Sequence, residues 1–424
     1  MTTGRVKRCG WLAAALAVLV AAGCAPREPV EVIETREAMN TLVTVRAVAV
    51  SDIAARRALD AAWMEMDEGI KHLDRHLPDS DISRVNRDAG RFTIEVDPLV
   101  TSCLSAAREV YDMTGGAFDP TVGPILELWR KAQERNHLPT EEELSAARAL
   151  VGMDAVQILA FMAEKPLSDL EPLPPRGGPT PKPEDLVKPM YLVGLDKEGM
   201  ALDLGGIAKG YIVGRMAQRM VQSGVLAALV DAGGDVYAED QRPLNLVAPG
   251  SARASRRDAE ATPGGDRRWG VGIQDPRYPD DRSRLFTAVH VRDQAVVTSG
   301  HYARGYTVEG RRFSHIIDPR TGRPVDTRLA SVTVVAPDAA MADGLATALE
   351  VLGVEKGMEL VEKTDGVECL LLELGEEPAE GSAEKPALIA HRSSGFAALE
   401  FAPSQLGQET DEADAEPVPA ASRP

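Results

Sequence analysis

The sequence predicts one large exported domain of mixed helices and strands, broken by two insertions. Three observations carry this. The chain has 424 residues and is 44% apolar, enough to build a sizeable core. Helix-like and strand-like spacings of apolar residues alternate from Met39 to Ala387. Two stretches, Lys165–Pro189 and Arg242–Arg268, instead have the proline, glycine and charge content of loops, and read as flexible insertions.

The N-terminus reads as targeting rather than fold. Arg5, Lys7 and Arg8 precede an unbroken apolar run from Trp11 to Ala22, too short to span a bilayer stably. The run ends in Val20-Ala21-Ala22-Gly23-Cys24, which resembles a bacterial lipobox, with Ala21 where leucine is usual. On this reading residues 1–23 are a signal peptide, Cys24 carries lipid, and residues 24–36 are a tether. Ordinary cleavage near Ala22 and an uncleaved anchor stay open. All three place the body outside the cytoplasm, on the periplasmic face if there are two membranes.

A strand is expected over Met39–Val50 and a helix over Ile53–His72 with Asp52 as its cap. Leu77-Pro78-Asp79-Ser80-Asp81 has turn chemistry, and a second helix runs from Pro98 to Met113 until Gly115-Gly116 stops it. Then come a strand at Tyr191–Leu195, a helix from about Gly206 to Gln222, and a strand at Leu226–Val230 ending in Asp231-Ala232-Gly233-Gly234-Asp235. A hairpin is expected over Tyr306–Arg312, and a helix that Asp338 caps and Gly353 ends. Residues 401–424 are expected to form a disordered acidic tail.

A net charge of -18 argues against nucleic acid as a partner, because phosphate binding is driven by clustered Lys and Arg. Outside the signal segment only Cys103 and Cys369 remain. Either they pair, or they are two separate buried thiols in apolar surroundings.

Four blocks place tight turns beside carboxylates, as a nucleotide and metal site needs. The first is Gly115-Gly116-Ala117-Phe118-Asp119-Pro120-Thr121-Val122-Gly123-Pro124. The second, Leu202-Asp203-Leu204-Gly205-Gly206-Ile207-Ala208-Lys209-Gly210, leads from a turn into a helix, whose free N–H groups face the turn. It has neither P-loop nor dinucleotide-fold spacing. The third joins Thr298-Ser299-Gly300-His301-Tyr302 to Ser314-His315-Ile316-Ile317-Asp318-Pro319-Arg320-Thr321-Gly322. The fourth is Ala342-Asp343-Gly344-Leu345-Ala346-Thr347, where a four-residue spacing puts a carboxylate and a hydroxyl on one helical face, able to meet one hard cation.

In this order the blocks resemble the FAD:protein FMN transferases, the ApbE family, from about Met39 to Val367 without the insertions. The resemblance implies an α+β fold in a single domain (about residues 37–400), FAD as substrate and Mg²⁺ as cofactor. It assigns Asp343 and Thr347 as side-chain metal ligands, with the Gly206 carbonyl completing the set. Met39, Ala117, Phe118, Asp119, Asp203, Lys209 and Ile317 would bound the flavin nucleotide. The family's Met-Gly-Thr is Met39-Asn40-Thr41 here, and His76 stands where tyrosine is common; it could still stack on a ring.

The implied reaction moves FMN from FAD to a threonine in a Ser-Gly-Ala-Thr type motif of an acceptor flavoprotein and releases AMP. This chain lacks that tetrapeptide and so reads as the modifier. Asp318, His315 and His301 are candidate general bases, and roles in FAD binding stay equally open for them. Two alternatives are a pyrophosphatase yielding FMN and AMP, and a non-catalytic flavin-binding lipoprotein.

Overall fold

The computed structural model describes residues 29–162, 189–241, 269–300, 305–376 and 385–405. The signal peptide, Cys24, both insertions save Pro189, His301 and the chain beyond residue 405 lie outside the described residues.

An eight-stranded sheet organises the molecule. Numbered in chain order, its strands are β1 (Val30–Ala38), β2 (Thr41–Ala49), β6 (Ala227–Ala232), β7 (Asp235–Asp240), β10 (Gln294–Gly300), β15 (Leu329–Ala336), β16 (Glu368–Leu374) and β17 (Leu388–Arg392). They lie in that spatial order, each pairing antiparallel. The smaller sheets are β3 (Ile94–Val96), β5 (Pro189–Leu195) and β4 (Val156–Met162); β18 (Glu400–Phe401), β9 (Leu285–Val291) and β8 (Trp269–Gln274); and the pairs β11 (Gly305–Val308) with β12 (Arg311–Ser314) and β13 (Ile317–Asp318) with β14 (Arg323–Pro324). Seven helices complete the described residues: α1 (Asp52–Leu73), α2 (Asp81–Arg87), α3 (Pro98–Thr114), α4 (Gly123–Arg135), α5 (Glu141–Arg148), α6 (Ala208–Gln222) and α7 (Ala339–Val361).

The strand period of two sorts the core into layers. In β15, Val332, Val334 and Ala336 join the core under α1, α3, α6 and α7, whereas Val335 joins the core under β8 and β9. In β16, Cys369 and Leu371 face the helices, and Leu370 and Leu372 face away. The central strands are therefore apolar on both faces and read as continuous apolar runs. Fully burying Trp63 of α1 contributes roughly 2–3 kcal/mol by area removed from water.

Several boundaries differ from expectation. The strand expected at Met39 begins at Thr41, because Met39 and Asn40 form the tight turn of a hairpin with φ of 49° and 59°. Consecutive left-handed residues are what a two-residue hairpin demands, and Asn meets that at low cost. Most of the expected tether, from Val30 onward, is β1. Ser51, not Asp52, caps α1, accepting from the Ala54 N–H. Helix α7 starts at the Asp338 cap as expected, but Gly353 (φ 74°) is a kink inside it, and the helix resumes to Val361. The chain remains ordered past Ala387: β17 joins the large sheet, and Phe401 at the start of the expected disordered tail pairs with Ala288. Cys103 and Cys369 are separate, buried, free thiols. Among the described residues no helix is long and apolar enough to cross a membrane.

Candidate functional site

The site forms where the first turns of α6 and α7 meet the hairpin joining β6 to β7. Helix α7 is apolar almost all round, as a core helix must be, so its few polar side chains stand out. Asp343 is 6% exposed. One of its oxygens, Oδ2, accepts the Gly210 N–H at 2.9 Å and so satisfies one of the free donors of the α6 N-terminus. Helix α6 has no side-chain cap of its own. Gly210 is required by this contact, since a Cβ there would come within 2.7 Å of the Asp343 Cβ and closer still to the Ala339 carbonyl.

One turn along α7, the Thr347 hydroxyl lies 3.5 Å from the Gly206 carbonyl oxygen, toward which it donates. That is long for an O–H···O bond, which favours about 2.7–2.8 Å. It approaches the separation of two oxygens on neighbouring corners of a Mg²⁺ octahedron, about 3 Å for ligands at about 2.1 Å. A Cβ at Gly206 would meet Thr347 Oγ1 at 2.9 Å and the Phe118 ring at 3.3 Å, so a side chain there would fill the space. The available donors are a carboxylate, a hydroxyl and a carbonyl, which suit a hard cation such as Mg²⁺. Among the described residues no three His, Cys, Asp or Glu side chains converge as a metal cluster.

Lys209 sits in the first turn of α6, where the helix dipole disfavours a cation. Its ammonium lies 2.8 Å from Oδ2 of Asp235, which is 1% exposed at the start of β7. Burial, and then the charge of Asp343, push the Asp235 carboxyl up to about 8 against the pull of Lys209. Burial likewise raises Asp343, while the Lys209 charge and the Gly210 N–H oppose it. The two carboxyls and one ammonium thus form a closely coupled group in which burial holds both acids toward their neutral forms until more positive charge arrives.

Blocks one and two are stitched together. The Asp203 N–H donates to the Pro120 carbonyl at 2.7 Å, and Val122 bridges Ala201. Asp119 is buried and accepts from the Thr121 N–H and hydroxyl at 2.8 and 2.6 Å; burial raises its carboxyl although both bonds oppose that. Asp203 receives the Gly205 N–H at 2.7 Å and pairs with Arg75 at 2.8 Å. Ala117 and Phe118 are buried, the Phe118 ring against Gly206. Met39 is half-buried on the core, and the residue after its turn, Thr41, packs against Gly233 of the turn that leads into Asp235.

Other expected residues stand apart or are engaged. His76 is exposed. Ile317 packs in a separate apolar cluster with Ile125, Trp129 and Ala147. Asp318 is gripped by the Arg320 guanidinium at 2.9 and 3.0 Å and closes the Asp318–Gly322 turn, so its lone pairs serve the turn. His315 is half-buried beside it in sequence, and His301 lies outside the described residues.

Sequence reasoning missed four groups. Asp235 follows a Gly-Gly turn and opens an apolar strand, a position where an acid must be buried. Arg75 clamps Asp203. The Tyr306 phenol, packed against Trp129, is raised by burial and then by the Asp203 charge. Glu350, 2% exposed, accepts from the Ser299 hydroxyl and continues the Asp343–Thr347 face of α7. A lone acid in Ala348-Leu349-Glu350-Val351-Leu352 was the available signal.

The ApbE family model matches residues 39–371. A protein of Treponema pallidum (strain Nichols) named FAD:protein FMN transferase is 31% identical over 335 residues, spanning 79% of this chain and 82% of that one. One of the same name from Salmonella typhimurium is 29% identical over 342 residues, spanning 80% and 84%. The solved ApbE protein of Thermotoga maritima superposes with a TM-score of 0.62 at 27% identity, over 88% of this chain and 100% of the other. The flavin transferase ApbE of Vibrio cholerae gives 0.61 at 24% identity over 88% and 99%, a likeness of fold. The chain belongs to the ApbE family and is an enzyme.

Proposed function

We propose that this chain is an FAD:protein FMN transferase that depends on Mg²⁺, modifies a threonine in a Ser-Gly-Ala-Thr type motif of a flavoprotein subunit, and releases AMP. The observation that carries this reading is the meeting of Asp343, Thr347 and the Gly206 carbonyl beside Lys209, an oxygen-only donor set with a cation next to it. The names of the curated relatives support the flavin donor and the protein acceptor.

In the proposed reaction the threonine oxygen bonds to the FMN-side phosphorus of FAD, the bond from that phosphorus to the bridging oxygen breaks so that this oxygen leaves with AMP, and the hydroxyl proton passes to water. The substrate's diphosphate is anionic, so attack on it meets strong repulsion. A Mg²⁺ ion held by Asp343, Thr347 and the Gly206 carbonyl would supply positive charge against the diphosphate oxygens. Lys209 adds a second positive charge at the α6 N-terminus, whose N–H groups also favour anions. Phe118 closes the floor under Gly206 and excludes water from that side. Arg75 fixes the Asp203 carboxylate as a polar wall for the nucleotide.

Export and lipid attachment at Cys24 belong to the same proposal, in which the enzyme is anchored to a bacterial membrane, on its periplasmic face if there are two membranes. A Cys24→Ser variant should be found in the soluble fraction. For the reaction, the purified chain is incubated with FAD, Mg²⁺ and an acceptor carrying the motif, and products are weighed by mass spectrometry. An FMN adduct with AMP in equal amount supports transfer. FMN and AMP without an adduct would make the chain a pyrophosphatase, and intact bound FAD would make it a flavin carrier.

A further inference from the structure

Lys209 stands between two buried carboxylates that come from different elements. Asp343 belongs to α7, and Asp235 opens β7 just after the Gly233-Gly234 turn. The ammonium forms an ion pair with Asp235 at 2.8 Å, and its charge also acts on Asp343. Asp343 spends Oδ2 on the Gly210 N–H. Its remaining oxygen is the group a cation needs, and the ammonium of Lys209, the residue before Gly210 in the same helical turn, is the natural competitor for it. Lys209 cannot simply be turned to bulk water, being only 30% exposed on its side chain and tied to the first turn of α6.

We propose that Asp235 is a positioning residue: by holding the Lys209 ammonium on the β7 side, it keeps the Asp343 carboxylate open to a divalent cation. This rests on the metal reading given under Proposed function. The arrangement also explains why a nearly inaccessible acid sits at this strand end, where an apolar residue would pack at no electrostatic cost. Asp235 does not touch the reacting atoms in this account. It acts through Lys209, whose positive charge it keeps on the β7 side of the site.

The test is direct binding of Mn²⁺, as a spectroscopic stand-in for Mg²⁺, by electron paramagnetic resonance on the purified full chain in detergent without FAD. Asp235→Asn should weaken binding about tenfold or more, because Lys209, no longer drawn to the β7 side, shifts toward Asp343. Lys209→Met should bind at least as tightly as wild type. The double variant Asp235→Asn with Lys209→Met should return to within about threefold of wild type, a reversal that a merely structural role for Asp235 would not produce. Equal binding by wild type and Asp235→Asn overturns the proposal. So does a double variant as weak as Asp235→Asn, or weaker binding by Lys209→Met, the arm that decides the matter should Asp235→Asn not fold. Asp343→Ala separates the two readings: if it retains wild-type binding, the metal assignment itself has failed, whereas its loss of binding beside an unaffected Asp235→Asn defeats only the role of Asp235.

Discussion

Asp235 and Asp275 are both nearly inaccessible aspartates, on opposite sides of the large sheet, and they are treated in opposite ways. Asp275, at the end of β8, lies in the fork of Arg277, with Nε at 3.0 Å and Nη2 at 2.6 Å, and it also takes the Arg277 N–H. Burial pushes its carboxyl up, but the Arg277 bonds outweigh that and leave it below the ordinary value. Asp235 shares one ammonium with Asp343, and burial wins. One region closes its charge and serves the fold. The other leaves two carboxyls raised by burial where three oxygen donors meet, an arrangement that a cation would stabilise in its charged form.

The sharpest way to break that contrast is Asp343→Ala. The variant should lose FMN transfer by about a thousandfold, about 4 kcal/mol of barrier, and lower stability by only about 1–2 kcal/mol, the cost of leaving the Gly210 N–H without its acceptor. Activity assays beside thermal unfolding check both halves. Next comes Glu350, which burial raises from 4.5 to about 7 against the Ser299 hydroxyl. Between those values the unfolded chain has released a proton that the native chain keeps, so this group lowers stability as pH rises through that window. Glu350→Gln should match wild type near pH 4 and exceed it by about 3 kcal/mol at pH 8 in denaturant unfolding.

On the closed side, Asp275→Asn should cost about 2 kcal/mol of stability at pH 7 while Mn²⁺ binding and transfer remain unchanged. An effect on metal binding would erase the distinction between the two regions. The smallest effect is expected at Arg75→Ala, which frees Asp203: KM for FAD should rise about tenfold with kcat less affected, read from steady-state rates.

Much of this site was legible in the sequence because its signals are local. The Asp343–Thr347 spacing, the Asp338 cap and the hairpin from Gly305 to Ser314 need only neighbouring residues, and all three are present in the fold. What escaped depends on long-range pairing. Strand β1 is an edge strand with Glu31, Glu34, Arg36 and Glu37 spread over both faces, a composition that discourages aggregation and hides the period of two. The Asp235–Lys209 pair joins residues on a hairpin and a helix, and no spacing rule reports such a meeting. Ile317, read by motif as a flavin neighbour, packs in the cluster of Ile125 and Trp129 that Tyr306 also joins, a meeting of β13 with α4 that no local spacing reports.

The central claim is that a divalent cation occupies the space among Asp343, Thr347 and the Gly206 carbonyl. Anomalous diffraction from crystals grown with Mn²⁺ tests it most directly. The account predicts a peak at about 2.2 Å from one Asp343 oxygen, the Thr347 hydroxyl and the Gly206 carbonyl together. A peak elsewhere on the molecule, with those three oxygens left uncoordinated, would contradict it.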